Sequence, residues 1–173
     1  MAAFGGVYEH SPWAAQRAFD KLAAQRAFDK LAAERAFDVD FSSPCFVITS
    51  MRKVVDAASR AEKDSLIKAH PDLAGKLALS GELTASSTKE QAGAGLDQCS
   101  PRELEKFQTY NKAYWEKFGF PFIVAVKGMN RKDILKAFKK RLKNSEVEER
   151  KTALEQIHKI AAIRIEGWFD ANT

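Results

Sequence analysis

Cysteine is scarce in this chain, with two in 173 residues, Cys45 and Cys99. Two thiols do not make a disulfide framework, and neither stands at the close spacing of a structural metal site. Nine glycines and five prolines argue against a loop-rich or low-complexity chain. No apolar run is long enough for a membrane span. The stretch Met1 to Val7 lacks the basic start and apolar core of a signal peptide, and Asp170-Ala171-Asn172-Thr173 is no peroxisomal address. A reducing, cytoplasmic setting is therefore expected. Three histidines, His10, His70 and His158, share no ligand spacing, so no metal is expected. Neither a G-x-S-x-G elbow nor a phosphate-cradling glycine loop occurs.

What is present suits one globular domain over 1–173, since 45% of the residues are hydrophobic and a chain of this length can bury a core. The net charge of +5 comes from Lys and Arg interspersed with Asp and Glu. That pattern reads as solvated helix faces with a mild attraction for small anions. A membrane partner is not expected. A basic helical module binding a partner or nucleic acid stays open as the alternative, and it predicts salt-sensitive association.

The periodicity is helical throughout, and the expected fold is an all-α bundle. Four stretches have the capping-box form, serine followed three residues later by glutamate: Ser59/Glu62, Ser87/Glu90, Ser100/Glu103 and Ser145/Glu148. After Ser100, Leu104, Phe107, Asn111, Tyr114 and Phe118 trace one face, and Gly119 stands where a left-handed cap belongs. Asn130 caps a further helix carrying Ile134, Leu135, Phe138 and Leu142. Between these two lies one short extended segment near 120–127, apolar, β-branched and proline-bearing. It has no strand partner, so its amides need other partners, a ligand among the candidates. Trp13 to Val39 is a triple nine-residue repeat, WAAQRAFDK, LAAQRAFDK, LAAERAFDV. Nine residues advance a helix by two and a half turns, so Phe19 and Phe37 share a side that Phe28 does not. The repeat cannot build one continuous apolar stripe. It reads as a duplication within an ordinary helical region, with a partner-binding helix as the alternative.

Candidate chemistry centres on His70. Pro71 disfavours helical backbone at the residue before it, so a helix reaching Ala69 releases His70 at its end. An imidazole there can transfer protons near neutrality, or it can be an ordinary histidine beside a turn proline. Glu90 is either the closing residue of a capping box or a carboxylate for chemistry. The small residues after it, Gln91-Ala92-Gly93-Ala94-Gly95, allow a close approach to another backbone or an anion. Arg164 occupies a slot in the stripe Leu154, Ile157, Ala161, Arg164, Trp168. Buried there, its guanidinium requires a ligand anion or a structural carboxylate such as Glu90, unless it snorkels to solvent. Together these residues suggest cofactor-free acid/base chemistry on a small polar anion.

The stretches His70-Pro71-Asp72-Leu73-Ala74-Gly75, Ser87 to Gly95, Phe118-Gly119-Phe120-Pro121-Phe122 and the helix with Arg164 resemble 2-oxo-4-hydroxy-4-carboxy-5-ureidoimidazoline (OHCU) decarboxylases, which close the route from urate to allantoin. The resemblance runs over 54–168, and the opening FGGVYEHSPWAAQRA also looks like the family's start. It implies an all-α homodimeric enzyme, without a cofactor, whose small-molecule substrate is OHCU and whose product is (S)-allantoin. Its implied site has His70 as acid/base. Substrate would be held by Pro71, by Ser87, Thr88, Lys89, Glu90 and Gln91, by Phe122, Ile123, Val124, Ala125 and Val126, and by Arg164. For such chemistry Glu90 would favour the protonated imidazole and Arg164 would steady developing negative charge. The chain departs from the family in its short lead-in before Phe4 and in the repeat. An inactive relative is the second alternative.

Overall fold

The computed structural model describes residues 4, 6–31, 43–75 and 83–172, with only the backbone described over 24–31. Seven α-helices occur among the described residues: α1 (Trp13–Leu31), α2 (Pro44–Asp56), α3 (Arg60–Lys68), α4 (Ala85–Gly93), α5 (Pro101–Phe118), α6 (Arg131–Arg141) and α7 (Glu146–Asn172). A 3₁₀ turn, Leu96–Gln98, precedes α5, and no strand occurs among the described residues. The all-α expectation is met.

Three of the four expected capping boxes form. Ser59, Ser100 and Ser145 each receive the backbone N–H three residues on, while Glu62, Glu103 and Glu148 accept the serine N–H at 2.9–3.0 Å. The fourth does not. Helix α4 starts at Ala85, and Thr84 is its cap, accepting the Ser87 N–H at 3.3 Å. Ser87 and Glu90 therefore lie inside the helix. Gly119 adopts φ 71° after α5, and Asn130 caps α6 through the N–H groups of Lys132 and Asp133. Both turns stand where the sequence put them.

The residues group into two compact units, Met1–Lys63 with Ile160–Thr173, and Asp64–Lys159. In the first, α2 buries Val47, Met51, Val54 and Val55, spaced to form one stripe, and α1 packs against it. The buried side chains of the first repeat copy are small, Ala14, Ala15 and Ala18, with Phe19 half-covered. The rest of the repeat pattern, Phe28 and Phe37 included, lies outside the described side chains. Phe4 packs on Trp168 at 4.9 Å between ring centroids and on Phe19 at 6.2 Å.

The second unit is built around rings. Phe122 stacks on Phe138 at 3.7 Å, and Tyr114 meets Phe120, Phe122 and Phe138 edge-on at 5.9, 5.2 and 6.1 Å. Phe107, Tyr114 and Phe118 of α5 are buried, as expected, and so is Asn111 in their midst. Helix α7 buries Ala153 and Ile157 in this unit, with Leu154 half-covered, and its stretch in the first unit buries Ala161 and Ile165 and leaves Trp168 38% exposed. Ile157 and Ala161 belong to the expected stripe, while Ala153 and Ile165 are buried where Leu154 and Arg164 were expected.

Candidate functional site

Helix α3 closes with Ala69 N–H on Ser65 and His70 N–H on Ile67, and Pro71 has no N–H to carry the ladder further. His70 is released there, as its neighbour dictates. Its ring then folds back: Nδ1 lies 2.9 Å from the Leu66 carbonyl, and the residue is buried. A carbonyl only accepts, so Nδ1 carries the hydrogen. In the neutral ring Nε2 therefore holds the lone pair and is the nitrogen that can take a proton.

The loop after His70 is held by side chains from two helices. Gln91 of α4 accepts the Ala74 N–H at 3.0 Å and donates to the Asp72 carbonyl at 3.5 Å. Asn111 of α5 donates to the Leu73 carbonyl at 2.9 Å, and Trp115 donates to the Asp72 carboxylate at 3.0 Å. Burial pushes the Asp72 carboxyl above its ordinary range, partly offset by the Trp115 bond. Ala74 takes φ 48°, uncommon for a residue with a side chain. At Gly75 a Cβ would come within 2.7 Å of Asp72 Cβ, so the turn closes only around glycine.

Of the α4 stretch, Ser87 and Gln91 are buried one helical turn apart, Glu90 is half-covered, and Thr88 and Lys89 are exposed. Glu90 is not engaged in a capping box. A hollow of about 330 Å³ lies beside this helix, lined by Ala74, Thr88, Gln91, Leu96, Asp97 and Cys99 among others. It takes in Thr88 and Gln91 from the expected contacts, while His70, Pro71, Ser87 and Glu90 are not in its wall. Burial pushes the Cys99 thiol up, which disfavours a reactive thiolate.

The segment 121–126 runs without helix or strand, and Pro121, Phe122, Ile123 and Val126 are buried. Three of its backbone groups have protein partners, the Val126 carbonyl accepting the Met129 N–H at 2.9 Å. The Ala125 N–H donates to Gln156 of α7 at 3.0 Å, and the Ile123 carbonyl accepts from Arg141 of α6. These partners replace the ligand that the sequence suggested for those three groups.

Arg141 belongs to a buried network absent from the sequence reading. Glu149 is fully buried and accepts from Arg141 Nε at 2.7 Å, from Asn144 at 2.6 Å and from the Tyr114 hydroxyl. The Arg141 guanidinium also lies over the Phe122 ring, 4.5 Å from its centroid. Burial drives the Tyr114 phenol far above its usual range. One signal was available in the sequence: Glu149 falls four residues before Ala153 and eight before Ile157, on the stripe that α7 buries.

Arg164 lies in the other unit. Its Nη1 is 2.7 Å from the Glu9 carboxylate and 3.3 Å from the Gly6 and Val7 carbonyls, and the paired side chains are 8% and 1% exposed. Sequence reasoning offered Glu90 as an example of a structural carboxylate. The one found is Glu9, which no periodicity marks. Among the described residues no three His, Cys, Asp or Glu side chains gather as a metal set, and no helix is long and apolar enough to cross a membrane.

A family model for OHCU decarboxylase matches residues 1–166. The 2-oxo-4-hydroxy-4-carboxy-5-ureidoimidazoline decarboxylase of Haloferax volcanii is 38% identical over 98% of this chain and 88% of its own length. That of Halalkalicoccus jeotgali is 38% identical over 95% of this chain and 81% of its own. Among solved structures, an (S)-allantoin synthase superposes with a TM-score of 0.68 at 28% identity. The match covers 96% of this chain and 48% of that protein.

Proposed function

The chain belongs to the OHCU decarboxylase family, and from that premise we infer that it converts 2-oxo-4-hydroxy-4-carboxy-5-ureidoimidazoline to (S)-allantoin as a carboxy-lyase, without a cofactor. Decarboxylation breaks the bond between a ring carbon and its carboxylate, and the electron pair left behind needs a sink. The conjugated ring supplies one, giving an enol. The enol becomes allantoin when its hydroxyl proton leaves and the neighbouring ring carbon is protonated. Water would deliver that proton to either face. A fixed donor delivers it to one.

The observation that carries the assignment of His70 to this step is the bond from its Nδ1 to Leu66. It fixes the ring and the tautomer, so Nε2 accepts the hydroxyl proton and, once charged, returns one to carbon. Such acid/base participation is worth roughly 10²–10⁴ in rate. Glu90 hydrogen-bonds the substrate and favours the charged imidazole. Pro71, Ser87, Gln91 and the backbone of 122–126 surround the ring, with the Ala125 N–H and the Ile123 and Val126 carbonyls excepted because Gln156, Arg141 and Met129 hold them. The same reading extends to a homodimer, tested by light scattering, and to the cytoplasm, where the free thiols of Cys45 and Cys99 remain reduced.

The test is circular dichroism on freshly generated urate oxidation product. The protein yields (S)-allantoin faster than spontaneous decay, and His70→Ala yields racemic product at the uncatalysed rate. Undiminished S product from His70→Ala removes His70 from the mechanism. Racemic product from the unaltered protein removes the activity.

A further inference from the structure

Asn111 is out of character with its place on α5. Phe107, Tyr114 and Phe118 of the same stripe are buried and apolar or aromatic, and Asn111 is buried among them with 6% of its surface exposed. A leucine there would pack without polar atoms to satisfy. The amide is also only half satisfied: Nδ2 donates to the Leu73 carbonyl, while Oδ1 is buried without a donor among the described residues. A buried amide in that condition lowers stability relative to an apolar residue, so the fold alone does not account for it. Its bond to the Leu73 carbonyl crosses 38 positions of sequence to the third residue after His70.

That bond acts on a loop which does not hold itself. Between His70 and Gly75 the backbone departs from helix, passes through φ 48° at Ala74 and crowds Gly75 against Asp72. A non-glycine residue at positive φ persists where the surroundings over-determine it. Here they do so through Gln91 on the Ala74 N–H, Asn111 on the Leu73 carbonyl and Trp115 on the Asp72 carboxylate. The loop begins at Pro71, directly after the imidazole, so its path sets where the His70 Cα stands relative to α4.

We propose that Asn111, assisted by Trp115, is a positioning residue for His70, clamping the Asp72–Ala74 turn from α5 so that the imidazole is held ready for proton transfer. The proposal deepens the decarboxylase reading and rests on it. Misplacing a reacting group by about 1 Å can cost on the order of 100-fold in rate. The clamp therefore governs turnover more than binding.

The experiment compares Asn111→Leu and Trp115→Phe with the unaltered protein in three measurements: steady-state kinetics on fresh OHCU, thermal melting, and NMR of the ligand-free protein. The NMR follows the titration of the His70 ring and the hydrogen exchange of the Ala74 amide. Asn111→Leu lowers kcat by about 10- to 100-fold with KM little changed, shifts the His70 titration and speeds Ala74 exchange, without a fall in Tm. Trp115→Phe changes a surface residue, 39% exposed, keeps the fold, and moves the same readouts in the same direction by less. A purely structural role gives the opposite pattern: lower Tm, unaltered kcat per folded molecule and an unmoved His70 titration, and that result overturns the proposal. If the unaltered protein makes no (S)-allantoin, the activity reading fails. The NMR arms still decide whether Asn111 orders the His70 loop.

Discussion

Replacing Glu149 with glutamine keeps the side-chain shape and removes the charge at the centre of the second unit. The carboxylate receives Arg141, Asn144 and Tyr114 and is fully buried, while Arg141 is 8% exposed. In Glu149→Gln one of the two terminal atoms becomes a donor facing other donors, and the guanidinium stays buried without its counter-charge. Losing one partner of a buried pair costs about 3–5 kcal/mol, a large part of a total stability of about 5–15 kcal/mol. At about 2–4 °C per kcal/mol for a chain of this size, melting should fall by about 6–20 °C. Asp64→Asn is the control. It breaks the Arg150–Asp64 pair, whose side chains are 23% and 29% exposed, and should cost about 0–1 kcal/mol. The double change Arg141→Met with Glu149→Leu leaves no buried charge in this network and should be less damaging than Glu149→Gln. It still strips the Ile123 carbonyl of its donor, so KM should rise even where stability returns. Calorimetry and kinetics on the same samples decide it. A Glu149→Gln loss under about 1 kcal/mol, or a double variant worse than the single, would refute the assignment of the network as a charge that must be paired.

Acid should weaken the fold from about pH 4.5 downward. Hydrogen bonds from Arg17 and then Ser59 hold Glu62 at about 2, against an ordinary 4.5, and the Ser100 and Ser145 N–H groups lower Glu103 and Glu148. Folded pKa values below unfolded ones mean stability present above the unfolded value and lost as pH falls through the folded one. Asp72, raised by burial, works the other way: its contribution is full below its ordinary 3.8 and fades as pH rises. Three capping carboxylates outweigh it, so urea midpoints should drop between pH 5 and pH 3, and a flat profile would count against the caps. Arg164→Leu should destabilise the first unit by about 3 kcal/mol, because Glu9 loses a buried cation. Chemical denaturation reads that loss, and parallel kinetics would reveal any effect on KM beyond the folded fraction.

Helices were legible because their signals are local. The Ser-x-x-Glu boxes at 59, 100 and 145, the Gly119 cap and the Asn130 cap depend on residues within four positions of one another, and all formed. The box at Ser87 failed because Thr84, three residues upstream, offered its hydroxyl to the Ser87 N–H first. Two threonine or serine caps within one turn compete, and spacing alone does not rank them. His70 was legible for the same local reason, since Pro71 ends its helix. The partners of Arg164, Asn111 and Arg141 were not, because Glu9, Leu73 and Glu149 lie 155, 38 and 8 positions away.

Those misses share a form that sequence does display. Asn111, Glu149 and Arg164 each stand on or beside a helical stripe whose other members are apolar, and each is held by a bond to a distant partner. Periodicity identifies the position as buried, and burial demands that the polar group be satisfied. The identity of the partner is settled only by the fold. A polar residue on an apolar stripe therefore tells where a long-range bond must exist before it tells what the bond is for. Function enters through what the partner controls. The Glu149 network controls the Ile123 carbonyl through Arg141, and Asn111 controls the turn that follows His70. The segments that resemblance assigns to substrate are the ones these buried groups brace.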